Sequence, residues 1–350
     1  RRAGHAGNHH QMDLNFSGPL TRVVVVEETT QVGQARREAL RVAAEAGFNE
    51  IDAGRVALAA TEMATNLWRH GGGGRMTLSV IAGACGQGVE LCTFDRGPGF
   101  VLAQCLQDGY STAGSQGLGM AAIARQARVM EAWSDARGSI LVVRIHPERA
   151  PRDADLAYGA VRLPMKHEFA CGDAWHLRVQ DQKLALTVID GLGHGALAAE
   201  ASEGGVRALA ALPTAGSAVD TINDLHAALS GSRGGAAAVA CVSLGSGDIE
   251  YAGVGNIAGS LLIGDTSRGM ASMPGIVGVQ YRKAQAFSLH APAGTLLVMH
   301  SDGLQARWSL RDYPGLQHRH PALVVAVLQR DFDRGRDDVC VVALRVGAFR

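Results

Sequence analysis

Two periods run through this chain, one of alternating residues and one of helical turns. Residues 20–27, LTRVVVVE, are a β-branched run that predicts a strand, and 29–47 carry apolar side chains at helical spacing up to Gly47. A second helical segment, 51–70, runs into four glycines at 71–74. Strands are expected over 75–82 and 88–95 around the turn GACGQG, then a helix near 117–130 and a strand near 139–146. The polar, proline-bearing stretch 147–159 lacks periodicity and falls where a second domain should begin. Beyond it, strands are expected over 160–169, 174–180 and 183–190, with helices over 196–212 and 217–230. Further strands (236–245, 248–254, 258–263, 284–290 and 295–300), a helix near 321–331 and a strand at 339–346 complete a strand-rich half. No fixed-period repeat relates the two halves, so they read as different folds.

Length agrees with that division, since 350 residues suit about two domains of ~150 residues, each able to bury a core. Lys+Arg 33 against Asp+Glu 33 leaves no global basic field, so neither nucleic acid nor an anionic membrane is an expected partner. No apolar run approaches the ~18–20 residues of a membrane span. The six cysteines are scattered without a CxxC pair, and no secretory segment is evident, so reduced thiols and a cytoplasmic location are expected. The first 19 residues, with His5, His9 and His10 close together, read as a flexible start rather than a metal tract.

Candidate chemistry in the first half begins in ATEMATNLWRHGGGG, where Glu62 and Asn66 lie four residues apart and so share one helix face. A carboxylate one turn from a carboxamide suits a general base beside a magnesium ligand, although such pairs are also common on solvated faces. At 95–99 the chain reads DRGPG, and at 114–120 GSQGLGM opens the next helix. Glycines there let backbone N–H groups approach a polyphosphate, and an aspartate on a pocket floor can accept from an adenine amino group. Singly, each is equally a turn or a plain helix start.

In this order and spacing, the three segments resemble the GHKL (Bergerat) ATP-binding fold, and DGYSTAGSQGLGM at 108–120 is similar to the short ATP lid of RsbT-type switch kinases. The resemblance covers about 20–147. It implies that Glu62 activates an acceptor hydroxyl, Asn66 holds Mg²⁺, Asp95 reads adenine, and Gly97, Gly99, Gly117 and Gly119 shape the phosphate cradle. His70, one turn beyond Asn66, is read as ending its helix.

In the second half, acids sit beside glycines at strand ends: Asp173 after Gly172, DGLGHG at 190–195, SDGL at 301–304, and the pair Asp337 and Asp338. Carboxylates drawn from separate strands suit hard divalent cations and metal-assisted hydrolysis, while any one Asp–Gly pair is otherwise a hairpin turn. With RGGAAAVA at 233–240, GVGN at 253–256, PGIVG at 274–278 and DDVCVVALRV at 337–346, these segments resemble the SpoIIE/RsbX branch of the protein phosphatase 2C class over about 157–347. The resemblance implies that Asp190 bridges two Mn²⁺ or Mg²⁺ ions, Gly191 offers a carbonyl, and Asp302 and Asp337 complete the second site, with Asp173 acting through water or as an extra ligand. The short GD segment lacks the arginine of larger members of the class, so phosphate is expected to be held chiefly by metals. His194 is read as packing or capping rather than as a general acid.

The expected architecture is therefore a two-domain α+β chain. Residues 20–147 form an N-terminal Bergerat α/β sandwich, 148–156 a linker, and 157–347 an αββα sandwich. The resemblances imply a bifunctional partner-switching regulator, an ATP-dependent serine/threonine kinase and a metal-dependent phosphatase acting on a STAS-domain antagonist and, through it, on a sigma factor or other output. Two alternatives stay open at this point. One is a phosphatase whose N-terminal domain is a regulatory ATP- or partner-binding module, and the other is a non-catalytic interaction protein in which both sites are relics.

Overall fold

The computed structural model describes residues 13–83, 86–106, 118–148, 150, 156–264 and 266–347. The first element, β1 (Leu14–Ser17), departs from the expected flexible start. Its order is tertiary: it pairs antiparallel with a strand of the second half, Leu14 opposite Val179, and the Phe16 ring centroid lies 5.6 Å from that of Trp175. Next come β2 (Arg22–Val26), α1 (Thr29–Glu45), α2 (Glu50–Arg69), β3 (Gly74–Ile81), β4 (Gly88–Asp95), the short α3 (Leu102–Cys105), α4 (Leu118–Gln126), β5 (Val129–Asp135) and β6 (Gly138–Ile145).

These strands form a five-stranded antiparallel sheet in the order β2-β3-β4-β6-β5. Helices α1 and α2 pack on one face of it. Helix α2 starts where the Asn49 carboxamide oxygen accepts from Asp52 N at 2.8 Å, with Glu50 and Asp52 complementing the positive end of the helix. Its buried stripe of Val56, Ala60, Met63, Ala64 and Leu67 leaves Glu62 and Asn66 half-buried at the margin. The helix expected near 117–130 ends at Gln126 instead. Residues 129–135 become β5 because they pair along β6, Met130 opposite Val143, and that partner is invisible to local periodicity.

The second half contains β7 (Tyr158–Leu163), β8 (Asp173–Gln180), β9 (Lys183–Gly191), α5 (Ala196–Ala211), α6 (Ala218–Ala228), β10 (Gly235–Ser243), β11 (Asp248–Val254), β12 (Ala258–Ile263), β13 (Thr266–Met270), β14 (Gly275–Ile276), β15 (Gln280–Tyr281), β16 (Phe287–His290), β17 (Leu296–His300), α7 (Pro321–Phe332) and β18 (Val339–Arg345). Strands β13, β14 and β15 were not expected, and the run 160–169 stops as a strand at Leu163. A six-stranded sheet, β1-β8-β9-β10-β11-β16, faces a five-stranded one, β13-β12-β17-β18-β7. Alternation decides the layers: Leu186, Val188 and Ala238 point between the sheets with Leu297 and Val342, while Ile189, Ala237 and Val239 point outward under α5 and α6. Helix α7 covers the outer face of the second sheet, which completes αββα.

Helix α7 also touches the first half. Its residues 321–329 are all buried, and Val324, Leu328 and neighbours share one cluster with Phe94, Ile140 and Val142 of the N-terminal sheet. The two halves thus hold one helix between them. Around it, Arg330 donates to Asp135 at 2.8 Å, Arg137 pairs with Asp331 at 3.3 Å and donates to Tyr313 Oη at 3.0 Å, and Arg319 donates to Glu131 at 2.9 Å. Among the described residues, no helix is long and apolar enough to cross a membrane.

Candidate functional sites

The first site is a cavity of about 330 Å³ lined by Asn66, Asp95, Gly97, Gly99 and Gly119, among others. That volume lies at the lower end for ligand pockets. Asp95 closes β4, and its Oδ1 accepts from Gly97 N (2.8 Å) and Ser139 N (3.0 Å), which fixes the carboxylate on the pocket wall. Gly71, which follows α2, is a steric requirement there, since a Cβ on it would come within 2.7 Å of the Asp95 Cβ. Asn66 faces the cavity and its Nδ2 lies 3.6 Å from Met120 Sδ. Glu62 stands outside that lining, against the first turn of α4, where a Cβ on Gly119 would meet its Oε2 at 2.7 Å. His70 caps α2 and also lines the cavity. Gly117 and most of the expected lid lie outside the described residues. One acidic and one amide side chain over an apolar floor that includes Met63 and Leu141 suit a planar base with its phosphates toward α4.

The second site lies at one end of the αββα sandwich, where strands of both sheets finish. Asp173 opens β8 and stands directly opposite Asp190 near the end of β9, with Gly191 next to it. Asp302 follows β17, and Asp337 and Asp338 precede β18. Asp173 is 1% exposed and accepts from Ser301 Oγ at 2.6 Å, while Ser301 Oγ in turn accepts from Cys340 N at 3.0 Å. Asp302 Oδ2 accepts from Asn256 Nδ2 at 2.7 Å. The adjacent acids divide clearly. Both oxygens of Asp338 are taken by backbone N–H groups, of Met165 (2.6 Å) and Gly172 (2.7 Å), so it braces the 165–172 segment. Asp337 is left as the less committed carboxylate.

Electrostatics describe a set of acids in need of positive charge. Burial pushes the Asp190 carboxyl up, the carboxylates of Asp302, Asp337 and Asp338 push it further, and the Asn256 amide only partly offsets them, bringing it to about 7. Asp173 is raised well above the usual range by burial and then by Asp190, against the Ser301 hydroxyl, and Asp337 is raised by burial and by Asp302. The donors are all oxygen, which fits hard divalent cations such as Mg²⁺ or Mn²⁺. Asp173 and Asp302 are turned onto internal donors, however, and among the described residues no three His, Cys, Asp or Glu side chains close around one point. His194 is exposed, with Nδ1 3.2 Å from Glu168 Oε1. Asn256 and Ser301 lie in the marked segments GVGN and SDGL, but the sequence pattern alone gives neither a role.

Comparison with known proteins follows this division. The histidine kinase-like ATPase domain family matches residues 25–145, and the stage II sporulation protein E (SpoIIE) family matches 180–347. Serine/threonine-protein kinase RsbT of Bacillus subtilis (strain 168) is 32% identical over 92 residues, 26% of this chain and 69% of the kinase. The chain belongs to the RsbT family of histidine kinase-like ATPases, fused to a SpoIIE-type phosphatase domain. Phosphoserine phosphatase RsbX of the same organism is 27% identical over 137 residues, 38% of this chain and 67% of the phosphatase. A solved structure described as "The bacterial stressosome: a modular system that has been adapted to control secondary messenger signaling" superposes with a TM-score of 0.50 and 29% identity, covering 55% of this chain and all of that one. A kinase-like ATPase domain and a phosphatase domain of the protein phosphatase 2C type therefore share one polypeptide.

Proposed function

We propose that this protein sets the phosphorylation state of a STAS-domain antagonist in both directions. It would phosphorylate serine or threonine through the N-terminal site and remove that phosphate through the C-terminal one. The observation that carries the reading is the pairing, in one chain, of an amide- and carboxylate-lined nucleotide-sized cavity with a separate end-of-sheet cluster of acids. In the first site, Asn66 would hold Mg²⁺, Asp95 would accept from the adenine amino group, and Glu62 would take the proton of the acceptor hydroxyl. Transfer of this kind asks the protein mainly to position ATP, metal and acceptor.

In the second site, Asp190, Gly191, Asp302 and Asp337 would hold two Mn²⁺ or Mg²⁺ ions, with Asp173 behind them. Those ions, when bound, supply Lewis acidity and an activated water for ester hydrolysis. The chain's own part is to gather oxygen donors from four strand ends, hold Asp302 through Asn256 and fix Asp173 through Ser301. A second reading, phosphatase action alone with the ATPase domain as a regulatory module, is favoured by the burial of the N-terminal sheet on α7, which ties that domain physically to the phosphatase half.

Transfer of labelled γ-phosphate from ATP to STAS-domain proteins separates the two. Label that accumulates with Asp190→Ala far above the intact chain, and disappears when Glu62→Ala is added, is the result expected of one substrate cycled by both sites. If no partner is labelled by either protein while the intact chain strips a pre-phosphorylated one, the regulatory reading replaces it.

A further inference from the structure

Every side chain so far placed in the phosphatase site is acidic or neutral, yet its substrate is a phosphate ester, itself a dianion. Metal ions neutralise acids, but an ester also needs a donor that fixes its free oxygens. The segment Ser232–Gly235 lies beside the acids. Ser232 Oγ donates to Leu229 O (2.7 Å) and accepts from Gly234 N (3.0 Å), Gly234 O accepts from Leu192 N (2.9 Å), and Gly235 exchanges two backbone bonds with Val277. Gly234 has φ +70°, and a Cβ there would lie 2.4 Å from Val277 O, so the turn admits glycine alone.

This pinned turn aims Arg233 at the loop that follows Asp190 and Gly191 at the end of β9. A Cβ built on Gly193 would come within 3.3 Å of Arg233 Nη1, so the guanidinium rests against the backbone between Gly191 and His194. Arg233 is exposed and, among the described residues, has neither a hydrogen bond nor an ion pair. It therefore stands near the acids without pairing with any of them. Two other basic side chains at this end of the domain are committed. Arg162 is buried on Asp173 O, Cys171 O and Glu203, and His194 is held by Glu168.

We propose that Arg233 is the phosphate-binding residue of the phosphatase site, its planar fork donating to two free oxygens of a phosphoserine or phosphothreonine ester. The inference rests on the phosphatase reading above, and it supplies from the turn before β10 the arginine that the short GD segment lacks. An arginine suits this place because two parallel N–H donors match two phosphoryl oxygens, which an ammonium group does not.

The test uses the full chain with Mn²⁺, a phosphoserine peptide as substrate and inorganic phosphate as competitor. Arg233→Ala is expected to raise KM for the peptide and the inhibitory concentration of phosphate together, by ~10- to 100-fold, with kcat changed much less. The Mn²⁺ dissociation constant and the melting midpoint stay at the wild-type values, and Arg233→Lys recovers part of the loss. KM and phosphate inhibition within twofold of wild type in Arg233→Ala would overturn the proposal, as would a loss that follows weakened Mn²⁺ binding. A wild-type chain that hydrolyses no peptide overturns the phosphatase reading itself, whereas active wild type with an indifferent Arg233 overturns this inference alone.

Discussion

Ser301 sits fully buried between the Asp173 carboxyl and the backbone N–H of Cys340. Its hydroxyl donates to Asp173 and accepts from Cys340 N, so Ser301→Ala strands a carboxylate oxygen and a backbone N–H inside the protein. Urea unfolding is expected to show a loss of about 1–3 kcal/mol, far more than an exposed serine would give. The motif around it was legible, because Asp–Gly at the end of an apolar run marks a strand end. The partnership was not, since Asp173 lies 128 positions away. The same holds for Asp337 and Asp338. Neighbours in sequence, they are told apart only when Met165 N and Gly172 N are seen to occupy both oxygens of Asp338.

Among the elements, α7 shows how much a pattern can say. The first eight residues of this helix, PALVVAVL, are apolar on every face, and a helix of that kind is buried all round. Its existence was read from the sequence, and its all-round hydrophobicity held the further information that two layers cover it. Leu328, with no exposed surface, lies in the cluster shared by both halves. Leu328→Ala is expected to cost about 2–5 kcal/mol, read as a lower denaturation midpoint at unchanged slope. Elements whose order comes from a distant partner were not legible in this way. Strand β1 has four residues and no pattern of its own, and β5 continues the apolar spacing of the helix before it until pairing with β6 decides the matter.

At the scale of the whole molecule, ion pairs surround the shared helix. Burial pushes the Asp135 carboxyl up, but hydrogen bonds from Arg137 N, Trp133, Arg330 and the Arg137 side chain outweigh it and bring it down to about 2. A carboxyl depressed on folding contributes stability above its unfolded value of ~3.9, and that contribution fades as pH falls through 4 toward 2. Arg330→Ala is therefore expected to lower the melting midpoint at pH 6, with the gap to wild type shrinking between about pH 4 and 2. Because Asp135 is partly open to solvent, added salt should also narrow the gap. A constant gap across that range would mean that Arg330 acts through packing alone.

The acidic site carries the proposed phosphatase activity. Release of inorganic phosphate from a phosphoserine protein, followed while Mn²⁺ is titrated into the intact chain and into Asp190→Asn, tests it in one experiment. The intact chain is expected to show saturable, chelator-sensitive release, and Asp190→Asn to fall by at least about a hundredfold without losing its fold. No release by the intact chain with Mn²⁺ or Mg²⁺, or undiminished release by Asp190→Asn, would contradict it.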